Sequence, residues 1–256
     1  MDRLDASAIV VPGVEVRVVE RCSSTNDVLL KGNSATPVLL AAEEQTSGRG
    51  RRGRRWHSAP GAGLTFSLGR GIRRPARELA ALSLVAGVAA ARALRALGVR
   101  QAALKWPNDL LVDGAKLGGI LVEARTPGAG RNQGSYAVIG LGINCRRTPG
   151  LAARLGREVA FVGDFVAVSR NQILQATASA LLAALDAFEA GGLQALRAEW
   201  EAMHAHAGQR LRVRLADGRV MTGTAGGLAE DGALRLVTRN GVRAVRSGRV
   251  VSARAQ

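Results

Sequence analysis

Lysine is nearly missing from this chain. Of 36 basic residues only Lys31, Lys105 and Lys116 are lysines, and the rest are arginines. Aromatic residues make up 3% of the sequence, too few for a platform on which single-stranded nucleic acid could stack. The two cysteines, Cys22 and Cys145, offer neither a disulfide framework nor metal-ligand spacing. The longest near-uniform apolar stretch, residues 79–91, is followed by Arg92 and Arg95, and is shorter than the roughly 20 residues of a bilayer-spanning helix. There is no G-x-x-x-x-G-K-[ST], which excludes a P-loop. The first residues are acidic early and only briefly apolar, unlike a signal peptide, so the expectation is a cytoplasmic protein without membrane contact.

What is present is a chain of 256 residues, 47% of them apolar, enough for a buried core in one or two domains. The net charge of +16 invites a nucleic-acid reading. Scattered arginines in an Ala/Gly/Arg-rich background fit a coding bias instead. That bias sharpens the lysines: where a generic cation is arginine, a retained lysine points to a need for a compact ammonium. Lys105 and Lys116 lie in one short segment.

Alternation over 14–20 predicts a strand, and Ser24-Thr25-Asn26-Asp27 predicts a helix start with Ser24 as cap. Further strands are predicted at 37–42, around Leu64, Phe66 and Leu68, and at 103–105, 109–112, 120–124 and 136–143. Helices are predicted at 76–97, ended by Gly98, and at 169–190 and 193–205, joined by Gly191-Gly192. Beyond about residue 208 the hairpin-type dipeptides Asp217-Gly218, Asp231-Gly232 and Asn240-Gly241 predict a small five-stranded, SH3-like β-barrel. The expected division is an extension (1–13), an α+β core (14–206) and the β domain (207–256).

Four segments carry chemistry. Residues 45–56, QTSGRGRRGRRW, interleave arginines with glycines, whose backbone can approach a ligand closely. Gly48, Gly50 and Gly53 formally make G-x-G-x-x-G, but no helix follows to sit under a pyrophosphate. In LKWPNDLLVDGAKLGGILVEA (104–124), Pro107 keeps Trp106 out of the helical region. Asn108 and Asp109 then sit where their oxygens can meet a phosphate-bound cation, and Asp113-Gly114 turns the chain so that Lys105 and Lys116 can approach across two strands. VIGLGINC (138–145) is a buried strand ending in Asn144, and CSSTNDVLL (22–30) is the helix start. His57, His204 and His206 lack partners at ligand spacing and are expected at the surface.

In order and spacing, SSTN, Q-x-x-GRGRRGR-x-W, KWPNDL with KLGGIL seven residues past its Asp, and GLGIN resemble the biotin–protein ligases. The resemblance runs from about Val14 to Ala205, and the terminal β domain suits that family's carboxy-terminal domain. It implies a mixed-sheet core of the class II aminoacyl-tRNA synthetase and biotin ligase type. It also implies formation of biotinyl-5′-AMP from biotin and ATP with Mg²⁺, then transfer to a lysine of a biotin carboxyl carrier domain of an acyl-CoA carboxylase. By that resemblance Ser24, Thr25, Asn26 and Gln45 hydrogen-bond the ureido ring. Gly48, Arg49, Gly50, Gly119 and Gly140 shape the biotin side. Lys116 holds the carboxylate and the adenylate bridge, Arg51 and Arg54 grip phosphates with Lys105, and Trp56 covers the ligand. Asn108, Asp109 and Asn144 organise Mg²⁺ and triphosphate oxygens, and Asp109 assists the acceptor amine in losing its proton.

Some members carry an amino-terminal helix-turn-helix that represses biotin genes; about a dozen residues precede the first strand here, so the expectation is a monofunctional ligase without DNA binding, monomeric or weakly dimeric. Relatives often have an acidic residue after the glycine of Gly248-Arg249, which leaves the role of Arg249 open. A lipoate ligase of the same fold, a basic nucleic-acid-binding module and a non-catalytic biotin sensor are the competing readings.

Overall fold

The structure, a computed structural model, describes residues 2–32, 34–125 and 134–254. Its larger sheet holds β1 (Glu15–Cys22), β2 (Val38–Gln45), β3 (Gly63–Ile72), β4 (Ala103–Lys105), β5 (Asp109–Val112), β6 (Ala115–Arg125) and β7 (Ser135–Asn144), in the order β1-β2-β3-β7-β6-β5-β4. β1 and β2 are parallel, and the other neighbours are antiparallel. Parallel strands need a crossover, supplied by α1 (Thr25–Lys31).

Strand alternation divides this sheet into two faces. Leu39 and Ala41 of β2 and Leu64, Phe66 and Leu68 of β3 enter the main core. Val38 and Leu40 turn the other way, into a small cluster with Leu29 of α1 and Val138. That second face is where Thr65 and Ser67 of β3 point. Four more helices follow: α2 (Leu82–Ala96, entered through a 3-10 stretch Ala76–Ala81), the short α3 (Leu151–Leu155), α4 (Arg170–Gly191) and α5 (Gln194–Ala202). The helix expected at 76–97 is thus α-helical only from Leu82 onward. Ala76–Ala96 and Arg170–Gly191 are long and apolar enough to cross a bilayer by length and composition. Here they pack on each other, and α2 also covers β6 on the main-core side. Small residues such as Ala86, Ala89 and Ala90, all fully buried, allow that close approach. Ser169 and Gln172 close a reciprocal capping box at the start of α4.

The second sheet contains β8 (Arg210–Leu215), β9 (Val220–Leu228), β10 (Leu234–Thr238), β11 (Gly241–Val245) and β12 (Gly248–Arg254), antiparallel in the order β11-β10-β9-β8-β12. Gly218, Gly232 and Gly241 adopt φ of +86°, +80° and +88°, the conformation for which the three turn dipeptides carry glycine. This is the SH3-like domain. It is fastened to the large sheet by the Trp106 indole, which donates to the Gly232 carbonyl at 3.2 Å. Glu201 of α5 accepts from the Leu228 amide at 2.9 Å.

His204 departs from expectation. It is buried beneath the end of α5, stacked on Trp200 with ring centroids 4.6 Å apart, and its backbone bridges to Leu104 of β4. A surface site was inferred from missing partners in sequence; the partner is an indole one helical turn back. Burial pushes the pKa of His204, and of its half-buried neighbour His206, down to about 4. His57 is half-buried. Among the described residues no group of three His, Cys, Asp or Glu side chains is placed to hold a metal.

Candidate active site

The glycines of β6 and β7 open a cleft of about 380 Å³ on the α1 face of the large sheet. Strand register puts Lys105, Asp109, Gly119, Gly142 and Thr65 in one row across β4, β5, β6, β7 and β3, and Leu121, Gly140 and Ser67 in the next. Directly opposed residues share a face, so a cation and a carboxylate stand at one end of a glycine-paved floor and two hydroxyls at the other. A Cβ on Gly140 would collide with the Asn26 amide, and one on Gly142 with the Trp56 indole. The two glycines therefore let polar and aromatic groups lie directly on the strand.

A β-bulge aims Lys116. Three residues before Gly119, Lys116 would point away from the cleft in an unbroken strand. The β5–β6 ladder pairs Asp109 with Gly119 and Leu110 with Gly118, then shifts to pair Leu111 with Lys116. The extra residue, Leu117, turns into the main core, which resets the alternation and brings Lys116 to the cleft. Asp113 and Gly114 have φ of +50° and +82°, closing the hairpin as their sequence suggested. The backbone of Lys116 is gripped from behind. Its N–H donates to Glu158 O at 3.1 Å, and its carbonyl accepts from the Ala160 amide at 3.0 Å and from Asn144 Nδ2 at 3.1 Å. Its ammonium is ion-paired with Asp109 Oδ1 and lies 5.9 Å from the Trp56 ring centre. Burial lowers the Lys116 pKa, Asp109 opposes that, and Arg157 and Arg54 add to it.

At the other end a polar wall rises from α1. Gln45 Oε1 accepts from the Thr25 backbone N–H at 2.8 Å. It thus does the capping expected of Ser24, whose own side chain makes no cap bond and is left facing the cleft. The Thr25 and Ser67 hydroxyls are 2.6 Å apart, Ser67 donates to Asn26 Oδ1 at 2.6 Å, and Asn26 Nδ2 donates to Glu123 at 2.8 Å. Ser24, Thr25 and Asn26 are all buried.

The glycine–arginine segment forms a closed hairpin over this cleft. Trp56 N–H donates to Gly48 O at 2.9 Å, and Gly50 N–H to Arg54 O at 2.7 Å. Arg52 and Gly53 have positive φ at its tip. Arg49 ties it down by ion-pairing with Asp27 and Glu123. Arg51 reaches Asn108 Oδ1 at 3.5 Å, and burial lowers its pKa, with Arg52 contributing. The buried Trp56 Nε1 has no hydrogen-bond partner among the described residues.

Every site residue singled out in the sequence lines the cleft except Gly48 and Asn144. Gly48 is buried against Gln45 and Trp56 at the base of the hairpin, and Asn144 lies behind Lys116, donating also to Ala160 O at 3.3 Å. Asn108 lines the cleft but spends its amide on Ile120 O at 2.7 Å. Sequence reasoning missed Thr65, Ser67 and Glu123, which strand alternation could have placed beside Asn26. It also missed Arg157, whose segment has no local motif, and the approach of β12, which brings Arg249 to the rim.

Comparison with known proteins agrees with this geometry. Residues 18–144 match the Biotin/lipoate A/B protein ligase family, and residues 206–251 match the Biotin protein ligase C terminal domain. The chain is 33% identical to a biotin–[acetyl-CoA-carboxylase] ligase of Mycobacterium tuberculosis, covering 94% of this chain and 90% of that one. It is also 33% identical to the bifunctional ligase/repressor BirA of Escherichia coli, covering 88% of this chain and 70% of the relative. The biotin protein ligase from Aquifex aeolicus, solved in complex with biotin and ATP, superposes with a TM-score of 0.79 at 26% identity, over 94% of this chain and 99% of that one. The cleft, with a cation at one end and a neutral polar wall at the other, lies in a protein whose relatives are ligases. The chain belongs to the biotin protein ligase family.

Proposed function

We infer that this protein is an ATP-dependent ligase that activates biotin as biotinyl-5′-AMP and transfers it to a lysine of a biotin carboxyl carrier domain. The observation that carries the reading is the single cleft joining the Lys116–Asp109 pair to the neutral polar wall of Ser24, Thr25, Asn26 and Gln45. A ureido ring presents two N–H donors and a carbonyl acceptor, which neutral amides and hydroxyls satisfy without a charge penalty. A dithiolane has no such groups, so the wall favours biotin over lipoate. Lys116 would then meet the carboxylate and the α-phosphate, two anions whose approach is costly without a fixed cation. Arg51 and Arg54 would hold phosphate oxygens, and the Trp56 indole would close the site. No side chain need become covalently attached, since the mixed anhydride is itself activated. Asp109, beside the ammonium of Lys116, would assist the incoming amine in losing its proton. Mg²⁺ fits as an ion carried by the triphosphate, with Asp109 and Asn108 as its protein ligands, because Mg²⁺ is commonly held by few carboxylates plus phosphates. Asn144 would act through Lys116, whose carbonyl it holds. We further propose residues 14–206 as the catalytic unit and 207–256 as the β domain.

Incubation with biotin, Mg²⁺-ATP and a carrier domain, followed by a streptavidin blot, tests this reading. A biotinylated band is expected, reduced at least about a hundredfold in Lys116→Gln, the scale of losing a transition-state electrostatic contact. No band with a competent acceptor present refutes it.

A further inference from the structure

The site described so far belongs to the large sheet, yet one of its walls does not. Strand β12 of the small domain contributes Gly248 and Arg249 to the cleft. Alternation fixes which way Arg249 turns: Gly248 and Val250 are buried on either side of it, and Arg249 is exposed. Gly248 is pressed against β8, where a Cβ would come within 2.8 Å of Val213 Cγ1 and 3.0 Å of Arg214 O. The strand is thereby seated firmly, with the guanidinium directed to the cleft rim. The glycine–arginine hairpin meets the same turn, since Arg52 donates to Ser247 Oγ at 3.2 Å.

We propose that Arg249, with Arg54, Lys105 and Arg157, forms the subsite for the two phosphates of ATP that leave as pyrophosphate. This assignment rests on the ligase reading above and adds a residue from the second sheet to it. All four cations line the one cleft. No hydrogen bond or ion pair is formed by the side chain of any of the four among the described residues, although an arginine close to Arg249 in sequence does so: Arg246 pairs with Asp231 at 2.7 Å. Four cations with only Asp109 and Glu158, among the described residues of the same cleft, to offset them leave an excess of positive charge that a polyanion relieves, and guanidinium forks suit phosphate oxygens. The crowding is visible at Lys105. Burial lowers its pKa, Asp109 opposes, and Arg249, Arg157 and Arg54 lower it further.

The reaction gives the cations their task. A biotin carboxylate oxygen bonds to the α-phosphorus as the bond from that phosphorus to the bridging oxygen breaks. The bridging oxygen departs with the bonding electron pair, as part of pyrophosphate. Lys116 stands at the forming bond, and the four-cation cluster receives the charge that leaves.

Isothermal titration of the full-length protein with inorganic pyrophosphate tests the assignment, and because it needs no biotin it is separate from the blot that tests the ligase reading. Arg249→Ala is expected to weaken pyrophosphate binding at least about tenfold, as for loss of a charge-assisted hydrogen bond. Arg249→Glu should weaken it more, and Arg249→Lys should keep most of it. Arg239→Ala, at the exposed β10–β11 turn, should match the parent, and circular dichroism should show that each variant stays folded. Pyrophosphate affinity within twofold of the parent in Arg249→Ala, or none in the parent, overturns the proposal.

Discussion

A buried ammonium is useful only while it keeps its proton, and the surroundings of Lys116 pull in both directions. Burial lowers its pKa, and the Asp109 carboxylate raises it. The alkaline limb of biotinyl-adenylate formation should therefore fall below the pH at which an ordinary lysine deprotonates. Asp109→Asn removes the raising partner, so its limb should lie lower still. Profiles of ATP–pyrophosphate exchange against pH read this directly, and a limb that does not move in Asp109→Asn contradicts it. The importance of this residue was legible before any coordinates, because an arginine-rich chain kept a lysine there. Its orientation was not. Residue counting gives a strand through 120–124, whereas β6 runs Ala115–Arg125 with Leu117 as an extra residue. A bulge leaves no composition signal when the inserted residue is an ordinary leucine.

Among the elements, α1 shows how one side chain can hold both a fold and a site. Gln45, at the end of β2, caps α1 through the Thr25 amide and stands in the cleft beside Ser24. Gln45→Ala should cost about 1 kcal/mol of stability, the usual worth of a cap, measured by urea titration. It should also raise the KM for biotin while leaving that for ATP within about twofold, the magnitude expected of a contact on the opposite wall. Equal rises in both constants would mean that the residue serves the fold alone. The strands at 103–105 and 109–112 fell within their observed bounds because Pro107, Asp113 and Gly114 punctuate them. The cap on α1 was read as Ser24 because local rules see only neighbours in sequence, and Gln45 lies twenty residues away on a parallel strand. For the same reason Arg157 and Arg249 were invisible as site residues: long-range contacts bring them in, not a motif.

Taken as one molecule, the protein should be sensitive to acid. Buried His204 and half-buried His206, just past the end of α5, have pKa values of about 4. Unfolded, each would bind a proton near pH 6.5. Above that pH neither state is protonated and these imidazoles contribute nothing. As the pH falls from about 6.5 toward 4, only the unfolded chain takes up protons, so stability drops by up to about 1.4 kcal/mol per pH unit for each imidazole. Thermal melts at pH 7 and pH 5 should show this, and His204→Asn should flatten the dependence. Tolerance to changes in length is uneven across the chain as well. Surface turns such as Asp217-Gly218 can lengthen freely. Between Asp113 and Gly119 a different arithmetic holds. Between Lys116 and Gly119, a further residue without a bulge of its own would exchange odd for even along β6 and send the ammonium of Lys116 into the hydrocarbon interior, whereas loss of Leu117 would restore plain alternation with Lys116 still on the cleft face. What this hairpin must keep is therefore the face that Lys116 occupies, with bulge and spacing free to change only together.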